Sequence, residues 1–156
     1  STGMIGQYAH GNEPSHHVAY LYNYLNQPWK TQKLVREIMN TQYSNQPDGF
    51  CGNEDCGQMS AWYVWSALGF YPVNPMDGIY QFGSPLIDEA KIKLGDDRFF
   101  EIIAHNNSDE NIYIQSVKLN GVACNRLSIT HNEIIQGGKI EFFMGNKPSG
   151  EYLFTR

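Results

Sequence analysis

Positively charged residues are scarce in this chain, and they form no run. Its 156 residues include 11 Lys and Arg against 16 Asp and Glu, which gives a formal net charge of −5. A protein that binds a nucleic-acid backbone or an anionic membrane surface needs a basic patch. We therefore expect neither nucleic acid nor a membrane among the partners of this protein.

The chain also has no long hydrophobic run and no secretory signal. No apolar stretch reaches the roughly 18 residues that a membrane-spanning helix needs. Residues 1–4 lack the basic start and the apolar run of a signal peptide. We expect any export signal to have been removed or to lie outside this chain.

Cysteine is rare, with 3 residues in all. An odd number cannot form a complete disulfide framework. Cys51 and Cys56 are near enough in sequence to form a bridge across residues 52–55, and free thiols are the alternative. The redox compartment stays open on cysteine usage alone.

Apolar and aromatic residues are plentiful, at 41% and 13% of the chain. This is enough for one globular body with a real core. The polar residues are rich in asparagine and tyrosine, with 10 Tyr and 3 Trp. Such neutral hydrogen-bonding and stacking side chains suit a neutral, polyhydroxylated ligand.

Residues 13–69 have helical spacing. The first helix is expected to begin at Pro14, after a cap by Asn12 or Glu13. Its apolar stripe consists of Val18, Leu21, Tyr22 and Leu25. A second helix begins at Gln27-Pro28, and its stripe consists of Leu34, Val35, Ile38 and Met39.

A third helix follows a loop over residues 43–53. Asp55 is its expected N-cap, and Gln58 three residues later would complete a capping box. Residues 61–68 are apolar nearly all round, which predicts a helix buried on most sides. Gly69 is the expected left-handed C-cap of this helix.

After Pro75 the hydrophobic period changes to two. Residues 99–104, 112–119 and 139–144 are typical of strands, with turns between them. We predict an α+β fold with two domains: helices over residues 1–75, and an antiparallel β-sheet or sandwich module over residues 76–156. Three helices do not close a core, so they either pack on the β module or belong to a larger helical domain that has been cut.

An amide, a carboxylate and two imidazoles are concentrated at the start of the first helix. Asn12 and Glu13 offer hard oxygen ligands to a cation, and His16 or His17 could hydrogen-bond a substrate hydroxyl. The alternative is a helix cap with exposed histidines. Zinc held by these histidines with Cys51 and Cys56 is a further option, but the spacing does not match the usual zinc sites.

A second polar group lies between two glycines, over residues 52–57. A carboxylate on a loop before a rigid helix is well placed to act as a general base. Asp55 is the candidate for this role. The alternative is that Asp55 only caps the third helix.

Several ordered motifs of this chain resemble glycoside hydrolase family 92, the calcium-dependent exo-acting α-mannosidases. The matching stretches are residues 5–17, 27–32, 52–64, 68–72 and 82–86. Together they cover the chain from near its start to the beginning of the β part. They correspond to the C-terminal third of such enzymes.

The resemblance implies an N-terminal β-sandwich and an (α/α)6 barrel with the active site at its open end. It implies inverting hydrolysis of terminal α-mannosides, with α-1,2 linkages the expected bond. Asp55 matches the general base of the family, and Asn53 stands where family members commonly carry a second acidic residue. The general acid, a glutamate, lies upstream of this chain.

The resemblance also implies bound Ca²⁺, with Asn12 and Glu13 as its ligands. We predict Asp55 and Asn53 as catalytic residues, and His16, His17 and Cys56 as substrate-binding residues. The expected ligands are mannose-containing glycans. The expected location is the periplasm or the exterior of the cell.

We interpret the chain as the C-terminal fragment of an exo-α-mannosidase that is inactive alone. Its other partner would be the missing N-terminal part of the same polypeptide, and its exposed helices would carry an apolar patch that favours self-association. The competing interpretation is a carbohydrate-binding or interaction module. All three Trp lie in the helical half rather than on strands, which favours the enzyme. We expect the Asn12–Glu13 and Asn53–Asp55 segments to meet at the helix ends.

Overall fold

A computed structural model describes residues 3–149 of the chain. The first half of the chain is mainly helical. The described residues contain two 3₁₀ helices and three α-helices, of which the last lies in the second half. They are 3₁₀ Glu13–Ser15, 3₁₀ Val18–Leu25, α1 Pro28–Thr41, α2 Gln58–Leu68 and α3 His131–Ile135.

The first predicted α-helix is wrong, because two 3₁₀ segments occupy its place. In an α-helix the main-chain oxygen of His16 would accept from Tyr20 N. Here the indole of Trp62 donates to that oxygen at 3.0 Å, and Tyr20 N donates to His17 O instead. The residues buried on the second 3₁₀ helix are therefore Ala19, Tyr20 and Asn23.

The predicted stripe of that helix is largely turned towards solvent. Val18 and Leu21 are each 38% exposed, and Leu25 is 63% exposed. Val64 on α2 is also 55% exposed, so α2 is less enclosed than its composition predicts. The helical half thus presents several large apolar side chains at its surface.

The second and third predicted helices are confirmed as α1 and α2. Pro28 is the first residue of α1, which buries Val35, Ile38 and Met39 as expected. At the end of α2, Gly69 has a φ of 101° and its N–H donates to Ser66 O and Trp65 O. This is the left-handed C-cap that the sequence predicts.

The strands among residues 3–149 form three sheets. A two-stranded sheet pairs β1 with β2, a second has the order β3-β4-β9, and a third has the order β5-β6-β10-β7-β8. Their bounds are β1 Met4–Ile5, β2 Tyr8–Ala9, β3 Phe70–Asn74, β4 Ile79–Phe82, β5 Glu89–Lys93, β6 Phe99–His105, β7 Tyr113–Leu119, β8 Val122–Ala123, β9 Ser128–Thr130 and β10 Gly138–Gly145. The mixed helix-and-sheet class is as predicted.

The five-stranded sheet is not purely antiparallel, which corrects the prediction. β10 lies between β6 and β7; it pairs with β7 antiparallel and with β6 parallel, with Ile140 opposite Ile102. A parallel pair needs a crossover connection. The segment from β7 to α3 supplies it.

The predicted boundary between residues 75 and 76 falls in the connection between β3 and β4. These two strands pair, with Phe70 opposite Phe82. Trp65 of α2 packs against the helical core, which contains Tyr20 and Trp62, and against the sheet core, which contains Phe70 and Phe142. The division into two domains stays a prediction, and its residues 1–2 and 150–156 lie outside the described residues.

A buried arginine joins α1 to loops of the second half. Arg36 is 3% exposed. Its guanidinium donates to Ser108 O at 3.0 Å, to Asn107 Oδ1 at 2.6 Å and to Pro85 O. Since all three acceptors belong to loops between strands, Arg36 fixes how the first strands of the large sheet lie against α1.

We expect Arg36→Met to destabilise the protein by more than about 2 kcal/mol, because it leaves buried oxygens without donors and each bond to a charged group contributes about 1.5–3 kcal/mol. Arg98→Met is the matched control, since Arg98 is exposed and donates to Ile135 O at 2.9 Å. Urea unfolding of both variants checks the difference. Equal losses of stability would contradict the role given to Arg36.

Candidate active site

The loop before α2 accepts hydrogen bonds from the first three N–H groups of that helix. Gln58 N donates to Asp55 O at 3.2 Å, Met59 N to Glu54 O at 3.3 Å and Ser60 N to Glu54 Oε1 at 3.0 Å. Ala61 N donates to Gly57 O at 2.8 Å, which is the first hydrogen bond within the helix. Glu54 Oε2 also accepts from Ser60 Oγ at 3.0 Å. Glu54 is therefore the side chain that caps α2.

Asp55 does not cap the helix, so the predicted N-cap and capping box are wrong. The N-cap residue is Gly57, which has no side chain to make a capping bond, and Ser60 N donates to Glu54 rather than to Asp55. The reason lies in the backbone: Asp55, Cys56 and Gly57 all have positive φ, at 42°, 58° and 90°. This left-handed run leaves Asp55 exposed with a carboxylate that is not used in capping.

The Asp55 carboxyl lies in hydrogen-bonding contact with the carboxyl of Glu13. This contact raises the pKa of Asp55 above its usual range and lowers the pKa of Glu13. Glu13 Oε1 is buried and has no hydrogen-bond partner among the described residues. A weaker acid at position 55 is a stronger base once it is ionised.

Two glycines allow the segments that carry these carboxyls to touch. A Cβ on Gly52 would lie 2.7 Å from Gly11 Cα and 2.9 Å from Gly11 O, so no other residue fits there without a shift. The approach of the Asn12–Glu13 and Asn53–Asp55 segments is thus confirmed. Asn12 and Asn53 are both exposed, and the Asn12 side chain makes no capping bond.

His16 lies in the core behind Glu13. Its Nε2 donates to His10 O at 2.8 Å, and its Nδ1 accepts from Gln58 Nε2 at 3.1 Å. Burial lowers the pKa of His16, which fits a neutral ring. Both ring nitrogens are in use, so this arrangement offers none to a sugar hydroxyl. Substrate contact by His17, which is half-buried, and by the exposed Cys56 stays a prediction.

A hydrogen-bonded chain joins the buried His10 to the half-buried side chains of Tyr8 and Tyr43. Tyr8 OH donates to His10 Nδ1 at 2.7 Å, and His10 Nε2 donates to Tyr43 OH at 2.6 Å. Tyr43 OH in turn donates to Met59 O at 3.0 Å, which fixes the direction of the chain. The His10 and His16 rings stack at 4.7 Å. The sequence analysis gives no role to His10 or Tyr43, and it assigns Gln58 only to a capping box, although His10 and Gln58 lie inside the stretches that resemble the family.

A cavity of about 280 Å³ opens beside Glu13. It is lined by Glu13, Pro14, His16, His17, Gln58, Ala61, Trp65, Tyr71, Pro72, Val73 and Pro75. The cavity combines one carboxylate, neutral polar groups and aromatic faces. Such a lining suits a neutral polar ligand.

The thiols do not form a bridge or a zinc site. Cys51, Cys56 and Cys124 are all free. Within residues 3–149, no three His, Cys, Asp or Glu side chains converge closely enough to hold a metal. The zinc alternative with His16 and His17 is therefore wrong for this part of the chain.

The model of the glycosyl hydrolase family 92 catalytic domain matches residues 1–146. This chain belongs to glycosyl hydrolase family 92. Within the described residues of this family 92 chain, no helix is both long and apolar enough to cross a bilayer.

Two solved family 92 enzymes from Bacteroides thetaiotaomicron share its fold. The alpha-mannosidase BT3965, solved with mannoimidazole, is 46% identical with a TM-score of 0.91, over 95% of this chain and 20% of that one. The inverting mannosidase BT2199 is 45% identical with a TM-score of 0.86, over 92% of this chain and 19% of that one.

A curated fungal relative is an "uncharacterized secreted glycosidase" from Arthroderma benhamiae. It is 30% identical over 142 residues, which are 89% of this chain and 18% of the relative. This family 92 chain therefore spans about a fifth of the length of the relatives that it matches.

Because Glu54 caps α2 and Asp55 does not, substitutions at these two positions should change the free energy of unfolding by different amounts. Glu54→Ala should destabilise the protein by about 0.5–2 kcal/mol, as loss of a helix cap does. Asp55→Asn should not destabilise it, because asparagine tolerates positive φ and an amide relieves the repulsion with Glu13. Thermal unfolding of both variants measures this, and an unchanged stability of Glu54→Ala would remove Glu54 as the cap.

The buried His10 predicts a loss of stability in acid. Burial, with His16 beside it, lowers the pKa of His10 to about 3 from an ordinary 6.5. Between about pH 6.5 and pH 3 the unfolded chain therefore binds a proton at His10 that the folded chain does not bind. The free energy of unfolding has its full value above about pH 6.5 and falls as the pH drops towards 3. His10→Gln should flatten this part of the pH profile in thermal unfolding. Parallel profiles for the variant and the unmodified protein would contradict the assignment.

Proposed function

We propose that this chain contributes the general-base side of the active site of an exo-acting α-mannosidase. The observation that carries the proposal is the exposed Asp55 carboxyl, free of capping and in contact with Glu13. The names of the solved relatives support mannosides as the substrate class. Terminal α-1,2-linked mannose on glycans is the proposed substrate.

In the proposed reaction Asp55 takes a proton from a water molecule as that water attacks the anomeric carbon. The bond between this carbon and the glycosidic oxygen breaks, and a carboxylic acid from another part of the polypeptide protonates the leaving oxygen. Attack from the face opposite the leaving group inverts the configuration. Asn53, two residues before Asp55, adds a neutral amide rather than a second carboxylate beside the water.

The residues present fit a calcium ion in their chemistry. Glu13 Oε1 is buried without a partner, and hard oxygen ligands are those that Ca²⁺ prefers. Glu13 and Asn12 would hold the ion, which when bound would contact vicinal hydroxyls of the terminal mannose. Calcium takes about six to eight oxygens, so these two residues would supply only part of its shell.

We also propose that the rest of the same polypeptide packs on the helices and completes an (α/α)6 barrel. The exposed side chains of Val18, Leu21, Leu25 and Val64 support this, because covering apolar surface with a packed neighbour is favourable. The chain alone would self-associate through the same surface. The name of the fungal relative supports export, to the periplasm or out of the cell.

Asp55→Asn in the full-length protein should lower the rate of mannoside hydrolysis by about 100- to 10,000-fold, the usual contribution of a general base. An amide cannot take the proton from water. Hydrolysis of an aryl α-mannoside with calcium present is the measurement. Asp109→Asn, an exposed aspartate on a loop between strands, is the matched control and should keep full activity.

Azide distinguishes loss of the base from loss of the fold. It attacks the anomeric carbon without giving up a proton, so it should restore turnover in Asp55→Asn and yield an inverted mannosyl azide. If Asp55→Asn turns over the substrate at the original rate without azide, Asp55 is not the general base.

A further inference from the structure

Gln58 is the first residue of α2, and its amide group joins three parts of the candidate active site. Its Nε2 lies 3.1 Å from His16 Nδ1 and 3.1 Å from Tyr71 OH. His16 follows the Glu13–Ser15 segment directly, and Tyr71 lies on β3. One side chain therefore connects the Glu13 segment, the start of α2 and the first strand after α2.

The bond between Gln58 and His16 can form in one direction only. His16 Nε2 faces the main-chain oxygen of His10 and must carry the proton. His16 Nδ1 is then a lone pair that needs a donor, and the amide NH₂ of Gln58 supplies it. A carboxylate or an apolar side chain at position 58 cannot replace this donor.

The Asp55 loop depends on such anchors because its own backbone conformation is unfavourable. Asp55 and Cys56 are both left-handed, although neither is a glycine. Such residues keep their conformation only where the surroundings hold them. Glu54 ties the loop to α2 itself, but Gln58 ties the end of the loop to the segment that carries Glu13.

We propose that Gln58 is a positioning residue that sets the placement of Asp55 relative to Glu13, acting through His16. This inference rests on the proposed function. Trp62 Nε1 also reaches this segment, at the main-chain oxygen of His16, 3.0 Å away. Since Trp62 holds the backbone of the segment, loss of the Gln58 amide disturbs the loop without unfolding the core.

The test compares two variants of the full-length protein that lose the same amide. Gln58→Met removes the bonds to His16 and Tyr71. Gln115→Met is the matched control, because Gln115 Nε2 also makes two bonds, to Tyr113 O at 3.0 Å and to Lys147 O at 2.8 Å, away from the site. Gln58→Met should lower kcat on an aryl α-mannoside by about 10- to 100-fold, since a misplacement of about 1 Å can cost about 100-fold. KM should stay near its original value, and the control should keep both constants.

A second readout does not depend on activity. The amide protons of Met59 and Ser60, which donate to Glu54 of the loop, should exchange faster in Gln58→Met than in the unmodified protein, and at an unchanged rate in Gln115→Met. Equal kcat in the two methionine variants, or unchanged exchange at Met59 and Ser60, would overturn the proposal. If Gln58→Met does not fold, Gln58→Glu keeps the size of the side chain but cannot donate to His16 Nδ1, and it should lower kcat by a similar factor; an unchanged kcat there would overturn the proposal.

The same preparations separate this inference from the proposed function. If Asp55→Asn keeps full activity, the proposed function fails, and the amide exchange of Met59 and Ser60 still decides the role of Gln58. If Asp55→Asn is inactive while Gln58→Met matches the control in kcat and in exchange, only the inference about Gln58 fails.

Discussion

Two carboxyl groups held in contact are the constraint on which the local structure depends. Glu13 and Asp55 repel each other when both are ionised, so their contact persists only because the chain around them is fixed. The backbones touch at Gly11 and Gly52, and the Gln58 amide joins the helix start to His16. Like-charge pairs of this kind move pKa values apart, which is how active sites assign a base.

Neighbouring acidic residues have different tasks because the backbone turns between them. Glu54 satisfies the start of α2, while Asp55 one residue later has a left-handed conformation and faces solvent. Both residue types can cap a helix, so composition alone does not separate them. The structural task falls to Glu54, which leaves Asp55 available for chemistry.

Local signals predicted the regular elements well and long-range contacts less well. α1, α2 and the Gly69 cap follow from spacing and from glycine, and the strands around residues 99–105 and 138–145 follow from alternation. The prediction of the first α-helix was wrong because Trp62, far along the chain, donates a hydrogen bond to the main-chain oxygen of His16. The proximity of the two carboxyl segments could be predicted from the family resemblance, whereas the His16–Gln58 bond could not, because it depends on a ring tautomer set by His10.

The place of β10 in the large sheet has a consequence for synthesis of the chain. β6 and β7 run in opposite directions but do not pair, because β10 lies between them. During translation these two strands leave the ribosome well before residues 138–145, and each has an unpaired edge until then. Unpaired edges are sites of wrong pairing, and closing such distant contacts is slow. We expect the sheet half to fold late, as one step, when its last strand enters the gap.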